Sequence, residues 1–110
     1  RFLEAFMFQM ISMRRLEQLL EGDRNFLLLD VREPEEYAAG HLEGAVNFPF
    51  SKLQEAGSRI PMDRLVILYC SHGSQSMMAA RELSRMGYRA VTVSGGLNYY
   101  RGRHMTRNSM

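Results

Sequence analysis

The chain has 110 residues, 45% of them hydrophobic and 24% charged, enough for one compact domain with its own core and too few for two of ordinary size. Its 14 Lys and Arg against 12 Asp and Glu leave a formal charge of +2, which excludes the strongly basic face that a nucleic-acid backbone requires. A single cysteine excludes an internal disulfide, so the fold must stand on packing and suits a reducing, cytoplasmic compartment.

The opening RFLEAFMFQMIS is apolar but interrupted by Glu4 and Gln9, and falls short of the roughly 20 residues that span a bilayer. Residues 1–10 therefore read as an N-terminal extension whose Phe2, Leu3, Phe6 and Phe8 supply a packing strand or a docking contact. Ser12 is placed to cap a helix carrying Met13, Leu16, Leu19 and Leu20 on one face, and Gly22 to end it. FLLLDV (26–31) lacks polar alternation until Asp30 and reads as a strand buried on both faces. Pro34 with Glu35 and Glu36 opens a short helix that Gly40 closes. GAVNFPF then carries a brief strand into a turn, and Ser51 with Gln54 has the spacing of a capping box for a third helix ending before Pro61.

RLVILY (64–69) is the most hydrophobic strand and delivers Cys70 at its carboxyl end. Helix SMMAARELSRM (76–86) follows, with Met77, Ala80 and Leu83 at core spacing and Gly87 at its end; YRAVTV is the next strand. SGGLNYY turns through Gly95 and Gly96 into a short helix, and residues 103–110 form a polar, basic, frayed tail. Nine methionines at scattered helical positions read as adaptable core packing. Alternating strands and helices imply an α/β domain of three layers, with a mostly parallel central sheet, helices on both faces and a site at the carboxyl ends of the strands.

Cys70 stands at such an end, followed by small polar residues and a glycine where a core would place bulk. A thiol reacts as its thiolate, and unpaired N–H groups at a helix's amino end stabilise negative charge. Gly73 can take angles closed to other residues, so the amides of residues 71–76 can curl into a nest around the sulfur. Ser71, Ser74 and Ser76 add hydroxyls and His72 an imidazole that points into the anion pocket. This chemistry requires main-chain N–H groups to converge on a thiol that solvent can reach. Asp30 and Arg32 read as an ion pair fastening strand to helix, and His41 as a loop-holding hydrogen-bond partner; all three are supporting candidates for the site. His41, His72, His104 and Cys70 lack metal-site spacing, so no metal is expected.

LLLDVREPEEYAAGHLEGAVNFPF (27–50) and VILYCSHGSQSMMAARELSRMGYRAVTVSGGLNYYRG (66–102) resemble rhodanese-like domains, in the Asp-x-Arg after a buried strand, the Gly-His-x-x-Gly-Ala turn, the cysteine loop and the terminal glycine pair. The resemblance covers residues 11–102 in unbroken order. It implies a single-domain sulfurtransferase in which Cys70 takes sulfur from thiosulfate or a persulfide, becomes a persulfide, and passes the sulfur to a thiophilic acceptor, small or protein, without a cofactor. Ser71, His72, Gly73, Ser74, Gln75 and Ser76 then bind the donor. Ser71 and Gln75 stand where many members carry an arginine, which lowers the charge available for an anionic donor. Cys70, His72, Gly73 and Ser76 nevertheless look like the loop of small bacterial thiosulfate sulfurtransferases.

Two rivals remain open on sequence grounds. A non-catalytic or sulfur-carrier module would explain the missing arginine and the apolar leading segment. A phosphatase or arsenate reductase needs an arginine six positions after the cysteine to grip an oxyanion, and that position is Ser76.

Overall fold

The computed structural model describes residues 8–108, and its framework follows from where the apolar runs lie. In chain order it holds β1 (Gln9–Ile11), α1 (Met13–Glu21), β2 (Phe26–Asp30), α2 (Pro34–Ala39), β3 (His41–Leu42), β4 (Val46–Asn47), a 3-10 helix (Phe50–Glu55), α3 (Ala56–Arg59), β5 (Leu65–Tyr69), α4 (Ser74–Arg85), β6 (Arg89–Val93), a 3-10 turn (Leu97–Tyr99) and β7 (Met105–Thr106). The main sheet has the order β1-β6-β5-β2-β4 with every neighbouring pair parallel. The most apolar strand, β5, therefore lies at the centre, as expected for a strand whose two faces are both covered.

Side-chain alternation splits the core in two. Leu29, Val31, Val66, Leu68, Cys70 and Ala90 pack with Leu53, Ala56, Ala79, Ala80 and Leu83 on one side; Phe26, Leu28, Ile67, Tyr69, Val91 and Val93 pack with Leu16, Leu20, Leu42 and Tyr100 on the other. Helices α3 and α4 thus cover one face and α1 the other, giving the three layers. Ser12 caps α1 by accepting the Arg15 amide at 3.0 Å, a contact worth about 1 kcal/mol.

Several local expectations change. Helix α4 begins at Ser74, and its buried face is Ser76, Ala79, Ala80, Leu83 and Ser84. Met77 lies one 100° step off that stripe and is 40% exposed. Met10, Met62, Met78, Met86 and Met105 are likewise exposed, because branched aliphatics fill the sheet and alanines let α4 approach it closely. Ser51 caps nothing: the Phe50 amide is already bound to the Val31 carbonyl at 3.0 Å, so the turn starts there and tightens into a 3-10 helix before α3. Phe2, Leu3 and Phe6 fall outside the described residues, whereas Gln9 and Met10, counted in the extension, pair with β6 as an edge strand. Among the described residues no helix is long and apolar enough to cross a membrane.

The tail is ordered at residues 104–108. β7 pairs antiparallel with β3, the Glu43 amide donates to the His104 carbonyl at 2.6 Å and the Asn108 amide to that of Ala38 at 3.1 Å. His104 Nε2 lies 2.6 Å from Glu21 and 3.5 Å from Glu17, both on α1, while Nδ1 lies 3.5 Å from Glu43. The hydrogen bond to Glu21 raises His104 above its ordinary 6.5, and the same bond lowers Glu21 below 4.5.

Asp30, with no exposed surface, receives the Arg32 guanidinium at 2.7 Å, and Arg32 reaches on to the Gly40 carbonyl. The ion pair thus ties the end of β2 to the end of α2, as the sequence suggests. Burial, then the Asp30 carboxylate beside it, raises Tyr69 well above the ordinary phenol range, so its hydroxyl stays protonated while it accepts the Leu42 amide at 3.0 Å.

Two outcomes are expected. Arg32→Ala leaves a buried carboxylate unpaired and should cost about 3 kcal/mol in urea unfolding; an unchanged midpoint would refute the fastening role. For His104 the raised value means that its stabilisation is complete below 6.5 and lost as pH climbs through that raised value, while Glu21 sets an acid limit below 4.5. The Tm difference between wild type and His104→Gln should therefore be largest between about pH 4.5 and 6.5 and shrink toward alkaline pH; a flat difference would count against the clamp.

Candidate active site

Period-two alternation along β5 puts Val66, Leu68 and Cys70 on the α4 side of the sheet. The chain then turns through residues 71–73 into α4, whose first amides have no carbonyl of their own to bind. Cys70 Sγ takes two hydrogen bonds there, from the Gly73 amide at 3.1 Å and the Ser76 amide at 3.3 Å. Gly73 is the N-cap residue of α4 and has no side chain to cap with, so the sulfur performs that task. Gly73 has φ +102°, which favours glycine, and a Cβ on it would press on the Gly95 amide nitrogen at 3.1 Å.

Ser76, without exposed surface, closes the far side. Its Oγ lies 3.5 Å from Cys70 Sγ, 3.2 Å from the Gly73 carbonyl and 2.8 Å from Thr92 Oγ1. Behind the loop runs the segment after β6: the Leu97 amide donates to the Cys70 carbonyl at 2.7 Å and the Asn98 amide to the Ser71 carbonyl at 3.0 Å. Gly96 has φ +73°, and a Cβ there would strike the Ser71 carbonyl and sit 2.6 Å from the His72 nitrogen. The glycine pair exists because two backbones pass at contact distance. Thr92 and Asn98 are parts of this site that residue pattern does not reveal; Gly96 reads as part of a turn and of the glycine pair in the family resemblance, neither of which tells that it backs the loop.

Of the expected donor-binding residues, Gly73 and Ser76 meet around the sulfur of Cys70. Ser71 supplies its carbonyl to the backing segment. Ser74 and Gln75 lie in the first turn of α4 and are exposed. His72 is exposed and its ring lies against Asn98, with Nε2 3.2 Å from the side-chain nitrogen, and the main-chain hydrogen bonds to Cys70 Sγ come from Gly73 and Ser76. Asp30 pairs in register with Tyr69, whose side chain lies on the α1 face, so Asp30 and Arg32 stand across the sheet from Cys70. His41 stacks on Tyr37 at 3.7 Å and its Nδ1 lies 2.7 Å from the Tyr37 carbonyl, holding its turn apart from the cysteine loop.

The main-chain N–H groups converge on the sulfur as the sequence reading requires, but the thiol is buried, where that reading needs one that solvent can reach. Cys70 is 2% exposed, because alternation tucks it under α4 and that helix starts early. Among the described residues Glu17, Glu21 and His104 bring metal-capable atoms within 4.8 Å of one another, which residue spacing alone does not foreshadow; these are the groups that clamp the tail, paired with each other and across the α1 face from Cys70.

A family model described as Rhodanese-like domain matches residues 12–102. A protein of Allochromatium vinosum named Sulfurtransferase is 35% identical over 88 residues, 79% of this chain and 82% of that one. Thiosulfate sulfurtransferase GlpE of Coxiella burnetii is 28% identical over 104 residues, 94% of this chain and 96% of that one. The solution NMR structure of the rhodanese-like domain of the Anabaena protein Alr3790 superposes with a TM-score of 0.82 at 27% identity, covering 92% of this chain and 80% of that one. With the loop that follows its central strand, its parallel sheet and a family match spanning most of its length, this chain belongs to the rhodanese-like domain family.

Proposed function

We propose that this domain is a sulfurtransferase that carries sulfur on Cys70. The supporting observation is the pair of main-chain N–H groups, from Gly73 and Ser76, that converge on Sγ at 3.1 and 3.3 Å. Such preformed donors stabilise negative charge on the sulfur without reorganisation. In the first half-reaction the Cys70 thiolate attacks the outer sulfur of thiosulfate; a sulfur–sulfur bond forms to Cys70, the old one breaks, and its electron pair leaves with sulfite. In the second a thiophilic acceptor attacks the terminal sulfur, takes it, and returns the electron pair to Cys70 as thiolate. A two-step exchange of this kind is covalent catalysis with ping-pong kinetics.

The narrow approach to a 2% exposed cysteine favours a donor that presents a single sulfur end-on, as thiosulfate and persulfides do. It disfavours a tetrahedral phosphoester, as does the absence of an arginine at Ser76. The name of the Coxiella relative supports thiosulfate as donor. The same enclosure favours a second reading, a carrier that receives sulfur from a partner protein and ignores free thiosulfate. A cytoplasmic setting accords with both, since a single thiol must stay reduced to work.

Incubation with thiosulfate is expected to add one sulfur atom to wild type by intact mass and release sulfite, and cyanide should then remove that sulfur as thiocyanate. Cys70→Ser should do neither, because a serine oxygen is a poor thiophile. Turnover retained in that variant would sink the sulfurtransferase reading, and an adduct formed from persulfide donors alone would select the carrier. On the stability side Cys70→Ala should lose about 1 kcal/mol as α4 loses its cap, measured against Cys70→Ser by urea unfolding. Gly96→Ala should displace the loop and slow transfer roughly 100-fold, the scale of a 1 Å misplacement, with the sheet still folded by circular dichroism; unaltered turnover would show that the glycine pair does not set the loop.

A further inference from the structure

Behind the loop, on β6, stands a buried polar side chain with no part in the exchange described above. Thr92 is 1% exposed and points to the α4 side of the sheet, as Val91 and Val93 point to the other. Its Oγ1 is 2.8 Å from Ser76 Oγ, which is 3.5 Å from Cys70 Sγ. A valine would pack in this space as well and would need no hydrogen-bond partner, so the hydroxyl calls for an explanation.

We infer that Thr92 is a positioning residue that, through Ser76, turns a chain of hydroxyl hydrogens toward the Cys70 sulfur when that sulfur is ionised. While the thiol is neutral its S–H donates to Ser76 Oγ and the Ser76 hydroxyl donates to the Gly73 carbonyl. When the thiol proton leaves to solvent, Ser76 Oγ loses a donor and Sγ gains a lone pair. The Ser76 O–H then rotates from the Gly73 carbonyl to the sulfur. That carbonyl is not orphaned, because the Met77 amide already donates to it at 3.1 Å. A lone pair of Ser76 Oγ on the Thr92 side accepts the Thr92 O–H, and the chain runs Thr92 to Ser76 to sulfur, adding a third donor to the two amides. Neither Ser76 nor Thr92 is open to solvent, so water cannot replace a missing member, and each bond in such a chain polarises the next.

For catalysis the inference rests on the proposed sulfur transfer, but its test does not. The chain has one cysteine, so ultraviolet thiolate absorbance against pH, with Cys70→Ser subtracted, reads that sulfur alone. Thr92→Val is expected to move the rise of thiolate absorbance to higher pH by about half a unit or more, Thr92→Ser to keep the wild-type profile, and Thr92→Val to have no further effect in a Ser76→Ala background. Thr92→Ala, which adds no bulk, serves as the second variant. A merely structural threonine would lower Tm without moving the profile. Coincident profiles for wild type, Thr92→Val and Thr92→Ala would overturn the inference even if wild type transfers sulfur. A profile that moves as expected would sustain it even if no sulfur adduct forms.

Discussion

A helix that begins beneath a folded surface must find acceptors for its first amides, and in this domain the acceptor is sulfur. The loop from β5 into α4 is four residues long, and its last residue, the N-cap of α4, is a glycine at positive φ with backbone packed against it. No side chain at that position can cap the helix, so Cys70 Sγ takes the Gly73 and Ser76 amides. The same two bonds finish the helix and surround the sulfur with partial positive charge. The helix cap and the proposed reactivity of this residue therefore rest on the same two bonds.

The parallel sheet decides what else can reach that sulfur. Because side chains alternate, neighbours in sequence face opposite layers: Tyr69 and Cys70 adjoin in the chain yet belong to different cores. The α1 face carries the fastening chemistry, with Asp30, Arg32, Tyr69 and Leu42 joining strand ends to helix ends, and His104 drawing the tail onto α1. The α4 face carries the thiol, Ser76 and Thr92. The Asp30–Arg32 pair is kept beyond the sheet from the thiol. Under the proposed function, negative charge on Cys70 would then be met by the Gly73 and Ser76 amides and the Ser76 hydroxyl in place of a loop arginine.

The segment 94–98 shows how little a short motif says about its partner. Its glycine pair reads as a turn, and it is one, but the requirement for glycine comes from the loop at 71–72 pressing against it. Asn98 likewise looks like a turn residue and proves to hold both the Ser71 carbonyl and the His72 ring. Position in the loop suggests that the His72 ring faces the anion pocket; the partner it has in the structure is Asn98, 26 residues away in the chain.

Local pattern was enough for the elements, their α/β order, the Ser12 cap, the buried central strand, the ion pair of Asp30 with Arg32 and the cysteine at a strand's carboxyl end, because each depends on residues within one or two turns of chain. It misjudged the methionines, since helical period locates a stripe but not its phase, and α4 turns Ala79, Ala80 and Leu83 inward instead of Met77. It read residues 104–106 as fraying because nothing apolar alternates there; their order comes from Glu17, Glu21, Glu43 and a two-residue pairing with β3. The enclosure of Cys70, the side of the sheet on which Asp30 stands, and the meeting of Ser76 with Thr92 belong to tertiary structure alone, because they depend on the register of three parallel strands and on which layer each side chain enters.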